Sequence, residues 1–321
     1  MTLWSRLNQI LFGGPKSMAL PSAPALSRGD TDVFAHLDSG RVSALVEAAT
    51  SSLAKPVEPP SGEAFLARYV RTGTPVHIKG LVRDWPAVDL WTPDFLLRQT
   101  EAMGDIQVSY RSTPSEMSRV DLNKIQQGIM SLSSILKECV RSPTDGPEIY
   151  VPGLDLPPGA LLNRDLAQPA LLAAREIYAT TVFLGRNTKC IGHFHPKSQA
   201  LLCQVHGVKR VWMYPPAELR RLNLFPVWTD GFFRSQVNFY GDLSAFPGVA
   251  KARGHLFELQ PGDALFIPLH WLHVPEGEGW SVSVTHWWRP TFREWTWGLA
   301  SARALFGIGF ELARQLRRKR L

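Results

Sequence analysis

Three histidines in this sequence have the types and spacing of a metal site. His193 and His195 are separated by one residue, Phe194. In extended backbone, side chains two residues apart point to the same side, so both imidazoles can bind one ion while the intervening ring faces away. A helix does not bring two side chains together at this spacing. Two exposed loop histidines would have the same pattern, so a third ligand from elsewhere in the chain is needed to make a site.

The third ligand is expected from the segment Gly262–His273. A Gly-Asp turn leads into an apolar run that stops at a proline, and His270 and His273 follow. Both compete for the metal, and His273 is favoured because Trp271–Val274 resumes an extended pattern. A core strand followed by a surface histidine is the alternative for this segment taken alone.

Two cations begin the strand that follows the tight turn at Gly207. If this strand lines a cavity, Lys209 or Arg210 lies among large apolar side chains such as Trp212. A buried charge needs a partner, and the carboxylate of an anionic ligand would supply one. A charged strand end in solvent is the alternative for this motif taken alone.

The elements that position these residues change along the chain. Before residue 176, short helices and strands alternate: one helix begins near Ser61, another follows the N-cap Thr92, and a third covers Ser131–Val140. Downstream, the pattern is mostly β. Short strands separated by turn residues indicate a sandwich or barrel. The candidate strands are Thr180–Leu184, Leu201–His206, Arg210–Tyr214, His255–Leu259, Ala264–Ile267 and Ser281–Trp287.

Both ends of the chain look peripheral. Two short helices, Thr2–Phe12 and roughly Val33–Ser52, interrupt a proline-rich N-terminal stretch. Residues 292–316 return to a helical period, with an apolar stripe formed by Leu305, Ile308, Leu312 and Leu316. A basic tail follows, formed by Arg314, Arg317, Arg318, Lys319 and Arg320. The tail would suit an anionic partner, but cations also complement the dipole of a helix end. No stable nucleic-acid or membrane partner is predicted.

Composition excludes several classes of protein. The 321 residues are 45% hydrophobic and 20% charged, as in a globular protein and unlike a disordered one. The 3 cysteines have no CxxC spacing, and their odd number argues against a disulfide scaffold, which predicts a reducing compartment, the cytoplasm. No apolar run reaches the length of about 18 residues that a membrane span needs. Asn8, Gln9 and Lys16 break up any signal-peptide core.

Taken together, these blocks resemble the cupin-like branch of the Jumonji-C oxygenases over roughly Gly62 to Trp288. The resemblance implies a mainly β fold with flanking helices (α+β), built on a double-stranded β-helix, which is a jelly-roll barrel. It divides the chain into an N-terminal extension (1–60), a cupin-like Jumonji-C domain (61–290, with an α/β part at 61–175 and the barrel at 176–290) and a C-terminal helical segment with the basic tail (291–321). The matching segments are Tyr69–Gly80, Asp84–Ala87, His193–Pro196, Leu201–Arg210, Tyr214–Pro216, Gly262–His273 and Ser281–Trp288.

The resemblance also implies a chemistry. Members of the family bind Fe(II) through two histidines and one carboxylate, and they use 2-oxoglutarate and O₂ to hydroxylate a C–H bond. In this chain the resemblance places the metal ligands at His193, His195 and His273. The implied protein is a dioxygenase acting as a hydroxylase on a peptide or protein side chain, or on a small molecule.

The same resemblance assigns the co-substrate. It places the distal carboxylate of 2-oxoglutarate on Lys209, assisted by Tyr150. Cys190, Gln199 and Thr285 stand where the family often has residues that hold the co-substrate or order the metal shell. The resemblance further favours a homodimer that forms through the C-terminal helices, and the alternative is a helix packed on its own barrel.

His195 departs from the family pattern, because it replaces the carboxylate ligand. An aspartate would leave Fe(II) with one positive charge, whereas three neutral imidazoles leave two. Imidazole also suits Zn, Cu and Ni. Two alternatives therefore stay open. One is a three-histidine metal cupin that acts without 2-oxoglutarate. The other is a non-catalytic binding module whose histidines are vestigial or hold structural zinc.

Overall fold

The structure is a computed structural model, and it describes residues 50–112, 120, 126–156, 159–295 and 297–318. The predicted helix Thr2–Phe12 lies outside these residues, and so do Lys319 and Arg320 of the basic tail. The predicted helix Val33–Ser52 also lies outside them, except for its end. There the prediction is wrong, because a strand begins at Thr50 and pairs with Gly254.

Ten strands of the described chain form one sheet, and all but one of the ladders between them are antiparallel. The spatial order is β1-β8-β7-β10-β6-β5-β3-β4, with β9 between β2 and β7. This is the mainly β architecture that the resemblance implies. In chain order the strands are β1 (Thr50–Leu53), β2 (Val76–Ile78), β3 (Gln107–Ser112), β4 (Gln126–Ser131), β5 (Ile149–Asp155), β6 (Ile177–Arg186), β7 (Gln199–Tyr214), β8 (Gly254–Leu259), β9 (Ala264–Ile267) and β10 (Leu272–Trp288).

Helices flank this sheet, and their starts follow the predicted caps. The side chain of Ser61 accepts a hydrogen bond from Ala64 N, and that of Thr92 accepts one from Phe95 N. Each cap satisfies a backbone N–H that the first helical turn leaves free. The helices are α1 (Gly62–Phe65, continued by a π-helical turn over Leu66–Val70), α2 (Pro86–Leu90), α3 (Pro93–Met103), α4 (Leu132–Arg141) and α5 (Leu299–Arg318).

The long ladder between β7 and β10 has two faces. Side chains alternate across a strand, so the register Trp287↔Ala200 and Trp288↔Gln199 sends these two tryptophans to opposite sides. The inner face packs one apolar cluster inside the barrel: Ala200, Leu202, Val211, Met213, Phe257, Leu259, Leu265 and Ile267. The outer face, with Leu201 and Trp288, joins the larger core beneath the helices.

The boundary expected near residue 175 does not interrupt the sheet. Strand β5 pairs with β6 through Tyr150↔Gly185, and β3 joins β5 through Arg111↔Tyr150. The α/β part therefore continues the sheet of the barrel through β5, β3 and β4.

Helix α5 packs through small residues and through half of the predicted apolar stripe, the buried Ile308 and the partly buried Leu312. Ala304 and Ile308 are buried, whereas Leu305 and Leu316 are exposed. A Cβ added at Gly307 would lie 2.2 Å from the ring of Phe232, so the helix approaches the barrel too closely for a larger residue there. Across the described ranges, none of the helices combines the length and the apolar character needed to cross a membrane.

Candidate metal centre

A short antiparallel bridge brings two of the three histidines together. His193 N donates to His273 O at 3.1 Å, and His273 N donates to His193 O at 2.8 Å. Residues that exchange both hydrogen bonds face each other directly, with side chains on the same side. His195 follows two residues later, and its carbonyl accepts a hydrogen bond from His270 N at 3.3 Å. Backbone pairing alone therefore aims the three imidazoles at one point.

The distances between the rings suit one ion. One ring nitrogen of each of His193, His195 and His273 lies within 4.8 Å of the others. The ring centroids are 4.2 Å apart for His193 and His273, 4.5 Å for His195 and His273, and 5.5 Å for His193 and His195. Metal–nitrogen bonds are about 2.1 Å long, so small ring rotations would bring all three nitrogens onto a shared ion.

Backbone carbonyls fix the orientation of two of the rings. The Nδ1 of His193 lies 2.9 Å from Ile191 O, and the Nδ1 of His273 lies 3.0 Å from Trp271 O. A carbonyl can only accept, so Nδ1 carries the proton and Nε2 keeps a free lone pair. Such outer contacts orient metal-binding imidazoles in general. The Nδ1 of His195 is buried without a hydrogen-bond partner.

Burial keeps these imidazoles neutral. It lowers the pKa of His193 to about 4, and the guanidinium groups of Arg234 and Arg111 act in the same direction. Burial also holds the pKa values of His195 and His273 well below the ordinary histidine value. Trp287 packs its ring 4.7 Å from that of His195, centroid to centroid. The donor set fits a transition-metal ion, since metal ligands must be deprotonated.

His270, the competing ligand, is directed away from this cluster. Its backbone is in the left-handed region, with φ at 66°. Its ring packs between Phe194 and Trp295, with centroid distances of 5.8 and 5.6 Å. His273 therefore stands in the cluster and His270 packs in the core behind it.

The two cations at the start of the strand face opposite ways. Met213 pairs with His273 and Lys209 with Gly277, so alternation puts Lys209 on the inner face together with His273. Lys209 is buried, and burial lowers its pKa to about 8. Within the described residues, no carboxylate forms an ion pair with it. Arg210 points outward and bonds Glu258 at 3.0 Å and Glu278 at 3.3 Å.

Cys190 and Tyr150 lie beside the first histidine. The Sγ of Cys190 is 3.8 Å from His193 Nδ1. Burial raises the pKa of Tyr150 well above its usual range, and the neighbouring Cys190 adds to this effect, so the phenol keeps its proton. The Tyr240 hydroxyl donates to Pro275 O at 2.9 Å and accepts from Cys190 N at 3.1 Å, which ties this loop to β10.

Thr285 and Gln199 have different positions. Thr285 is on the inner face, two residues from Trp287, and its hydroxyl is buried without a hydrogen-bond partner. Gln199 lies on the outer face of β7, where its Oε1 accepts a hydrogen bond from Trp288 Nε1 at 2.9 Å. The structure therefore brings Thr285 to the barrel interior and does not bring Gln199 there. Neighbouring residues of a strand point to opposite faces, so Gln199 faces away from the side on which Ala200 lies.

Two arginines at this site were not predicted. Arg234 forms an antiparallel bridge with His193, and Arg111 pairs with Tyr150 across β3 and β5. Neither belongs to a motif, and each reaches the site through pairing between distant parts of the chain. Nothing in the sequence near either residue signals such a position.

Comparison with known proteins identifies the family of the barrel. The sequence profile described as "Cupin-like domain" matches residues 62–294, more than half of the chain. The chain is 22% identical over 261 residues to "Lysine-specific demethylase JMJ31" of Arabidopsis thaliana, covering 69% of this chain and 47% of that protein. It is 26% identical over 237 residues to "Lysine-specific demethylase 8" of Xenopus tropicalis, covering 71% and 51%.

A shorter match has higher identity. The chain is 37% identical over 99 residues to "Jumonji C domain-containing protein 5" of Drosophila melanogaster, covering 30% of this chain and 24% of that protein. The chain thus spans about half, or less, of the length of the curated relatives it matches.

Proposed function

Because the chain belongs to the family of cupin-like, Jumonji-C-like domains, we propose that it is a metal-dependent oxygenase. In this proposal Fe(II) is held by His193, His195 and His273, and 2-oxoglutarate and O₂ are consumed. The reaction hydroxylates a C–H bond of a peptide or protein side chain, or of a small molecule. Bound Fe(II) would supply the activation of O₂. The residues of the chain would bind and orient the substrate and 2-oxoglutarate, and they would exclude water.

One observation carries the proposal. Three imidazoles from two separate segments, with His195 and His273 buried and His193 half-buried, present nitrogens within 4.8 Å of one another. Backbone carbonyls hold the proton of His193 and that of His273 on Nδ1, which leaves Nε2 ready to bind a metal. Removing imidazole nitrogens from water is costly unless these nitrogens find partners. A bound metal ion would satisfy them at once.

The inner face also suits an acidic co-substrate. Lys209 is a buried ammonium without a described carboxylate partner, and Thr285 offers an unpartnered hydroxyl on the same face. We assign the distal carboxylate of 2-oxoglutarate to Lys209, assisted by Tyr150, and we assign Thr285 to the same inner face as a further contact of the co-substrate or the metal shell. Tyr150 and Cys190, beside His193, would line the same pocket. We leave Gln199 out of this assignment, because its Oε1 is bonded to Trp288 on the outer face.

A second candidate follows from His195 itself. A site of three neutral ligands leaves the full charge of the metal, and such a site can bind an anionic substrate directly without 2-oxoglutarate. A third candidate is a non-catalytic binding module whose histidines are vestigial or hold structural zinc. Metal analysis and product analysis on the same sample separate the three.

The test is turnover by the protein loaded with Fe(II) without oxygen and then exposed to O₂. The proposal expects conversion of 2-oxoglutarate to succinate, and it expects His195→Asp to preserve or increase that conversion because the substitution restores the usual charge. If the parent is active and His195→Asp loses both iron and activity, a specialised three-histidine mechanism replaces the proposal. If iron binds but no succinate is formed, the result favours the second candidate, a metal site that acts without 2-oxoglutarate. If neither metal nor turnover is found, the binding module remains.

We extend the proposal to a homodimer in the cytoplasm. Helix α5 keeps one face apolar in solvent, formed by Leu299, Leu305, Phe306, Phe310 and Leu316. A contiguous apolar patch of this kind marks an interaction site. Sedimentation should show a dimer that Phe306→Glu converts to a monomer; a monomeric parent would contradict this part. The three free cysteines support a reducing compartment.

A further inference from the structure

Two guanidinium groups from distant parts of the chain, those of Arg111 and Arg234, lie near His193. Phe194 N donates to Phe233 O at 2.9 Å and Ser235 N donates to Gly192 O at 2.7 Å. These bonds flank Arg234 and His193 as a directly opposed pair. Such a pair brings its two side chains close on the same side. Arg234, His193 and His273 therefore form one row across three segments.

Arg111, on strand β3, approaches the surroundings of His193 from a different part of the sheet. It pairs with Tyr150 across the β3–β5 ladder, and side chains of paired residues share a face. Tyr150 in turn lies beside Cys190. Burial raises the pKa of the Cys190 thiol, while Arg111, Arg234 and Lys209 each act to lower it. The three cations are therefore near enough to act on Cys190, whose Sγ lies 3.8 Å from His193 Nδ1.

The described chain gives these guanidinium groups no acidic partner. Neither arginine forms an ion pair with a carboxylate among the described residues. Asp230 acts on Arg234 from a distance, but it is ion-paired with Arg314. The Nε of Arg111 is buried without a hydrogen-bond partner. The guanidinium carbon of Arg234 lies 5.0 Å from the centroid of the Phe233 ring, which orients the group.

Among the described residues, Lys209, Arg111 and Arg234 place three cations near His193, and no described carboxylate forms an ion pair with any of them. A divalent ion on three neutral imidazoles, together with Lys209, Arg111 and Arg234, is strongly positive. One dianionic 2-oxoglutarate would offset only part of this charge. Like charges held close together at a partly buried site repel each other unless an anion lies between them. Arginine is suited to that task, because its planar fork binds carboxylate and phosphate with two parallel hydrogen bonds.

We propose that Arg111 and Arg234 bind an oxyanion of the primary substrate, a carboxylate or a phosphate group, and so hold the substrate beside the metal. The inference rests on the proposed function and specifies its substrate class. Lys209 is assigned to the co-substrate, and the two arginines to the molecule that is hydroxylated. Neutral substrates of the same shape would leave both guanidinium groups without a counter-ion and would bind weakly.

The experiment is calorimetric titration of the full chain loaded with Ni(II), with and without saturating N-oxalylglycine, a stable analogue of 2-oxoglutarate. The probes are N-acetyl-aspartate, phenyl phosphate and the neutral N-acetyl-asparagine. We expect an acidic probe to bind about tenfold or more tightly than the neutral one. Arg111→Gln and Arg234→Gln should each remove about that advantage. The two acidic probes decide between a carboxylate and a phosphate.

Two controls keep the result interpretable. Arg210→Gln removes a guanidinium from the outer face of β7 and should change no affinity. Arg111→Lys and Arg234→Lys keep the positive charge but lack the planar guanidinium group, so they should bind the acidic probes with intermediate affinity. They replace the glutamine variants if those variants do not fold. Thermal unfolding of each variant shows whether it is folded.

Three outcomes would overturn the inference or separate it from the proposed function. If acidic and neutral probes bind equally, the arginines do not select an oxyanion. If the arginine variants lose affinity for N-oxalylglycine and not for the acidic probes, the arginines hold the co-substrate and the inference is wrong. If the parent does not bind N-oxalylglycine but still binds acidic probes through Arg111 and Arg234, the proposed function fails and the oxyanion site stands.

Discussion

The two faces of strand β7 use the same kind of residue in opposite ways. On the outer face, Arg210 is paired with Glu258 and Glu278, and it is partly open to solvent. On the inner face, its neighbour Lys209 is buried without a described carboxylate partner. An exposed ion pair contributes little to stability, whereas a buried unpaired charge is costly. A ligand of opposite charge would offset the free-energy cost of burying Lys209. We therefore expect the ligand to bind on the inner face.

The largest effect expected from this comparison concerns the metal. His273→Ala removes one of three ligands from the inner face and should weaken metal binding by more than about 100-fold, since loss of a mere supporting contact costs about 10–100-fold. His255→Ala is the matched control, because His255 is exposed on β8. Titration with Co(II) followed by absorption spectroscopy measures both. Equal affinity in the two variants would remove His273 from the site.

The next effect compares Lys209 and Arg210 directly. Lys209→Ala should weaken 2-oxoglutarate binding by about 2–5 kcal/mol, as expected for one partner of a buried charge pair. It should also leave the ligand-free protein no less stable, because it removes a buried charge. Arg210→Ala should leave that affinity unchanged and should cost about 0–1 kcal/mol of unfolding free energy. Calorimetry measures the affinity for 2-oxoglutarate, and chemical denaturation measures the unfolding free energy. A loss of affinity in Arg210→Ala and not in Lys209→Ala would show that the outer face binds the co-substrate.

A third effect depends on pH. Burial lowers the pKa of Lys209 to about 8, so the ammonium loses its proton above that value. Affinity for 2-oxoglutarate should be level below about pH 8 and should fall by up to about tenfold per pH unit above it, because the carboxylate needs the charged form. Lys209→Arg, which stays charged, should give a level profile. A level profile in the parent protein would place the carboxylate elsewhere.

The same titration has a consequence for stability. A lysine whose pKa in the folded protein lies below its ordinary value binds fewer protons when folded than when unfolded. The unfolding free energy of the ligand-free protein should therefore rise as the pH increases from about 8 towards the ordinary lysine pKa. Lys209→Arg should lack this rise, which denaturation at several pH values would measure.

The smallest effect concerns Thr285. Its hydroxyl is buried without a partner, so Thr285→Val should leave the ligand-free protein equally stable or slightly more stable. The same change should weaken 2-oxoglutarate binding by about 0.5–1.5 kcal/mol, the net contribution of one hydrogen bond. Thr180→Val is a control, since the hydroxyl of Thr180 contacts His286 Nδ1 at 3.1 Å away from the inner face. No difference between the two variants in co-substrate affinity would exclude Thr285 from the pocket.

Local patterns predicted much of the site. The spacing of His193 and His195 was sufficient because alternation in extended backbone is a local property. The choice of His273 over His270 also rested on local pattern, and the left-handed backbone of His270 explains its separation. The choice between Lys209 and Arg210 stayed open, because the face of a strand depends on its register with β10.

Other features depended on contacts that the sequence does not display. Gln199 was expected near the co-substrate, but the register of β7 sends it to the outer face. Arg111 and Arg234 reach the site through pairing with residues far away in the chain. In α5 only Ile308 and Leu312 of the predicted apolar stripe turn inward, and Gly307 packs too closely against Phe232 for a larger residue. Long-range pairing and steric fit decided these cases.

The central claim is that one metal ion is shared by His193, His195 and His273. A crystal soaked with Fe(II) and 2-oxoglutarate under anaerobic conditions tests it most directly. The account predicts one iron per chain with a nitrogen of each of the three rings about 2.0–2.3 Å from it, and a carboxylate of 2-oxoglutarate within hydrogen-bond distance of Lys209 Nζ. Iron bound elsewhere, or three rings pointing apart with no shared ion, would contradict the account.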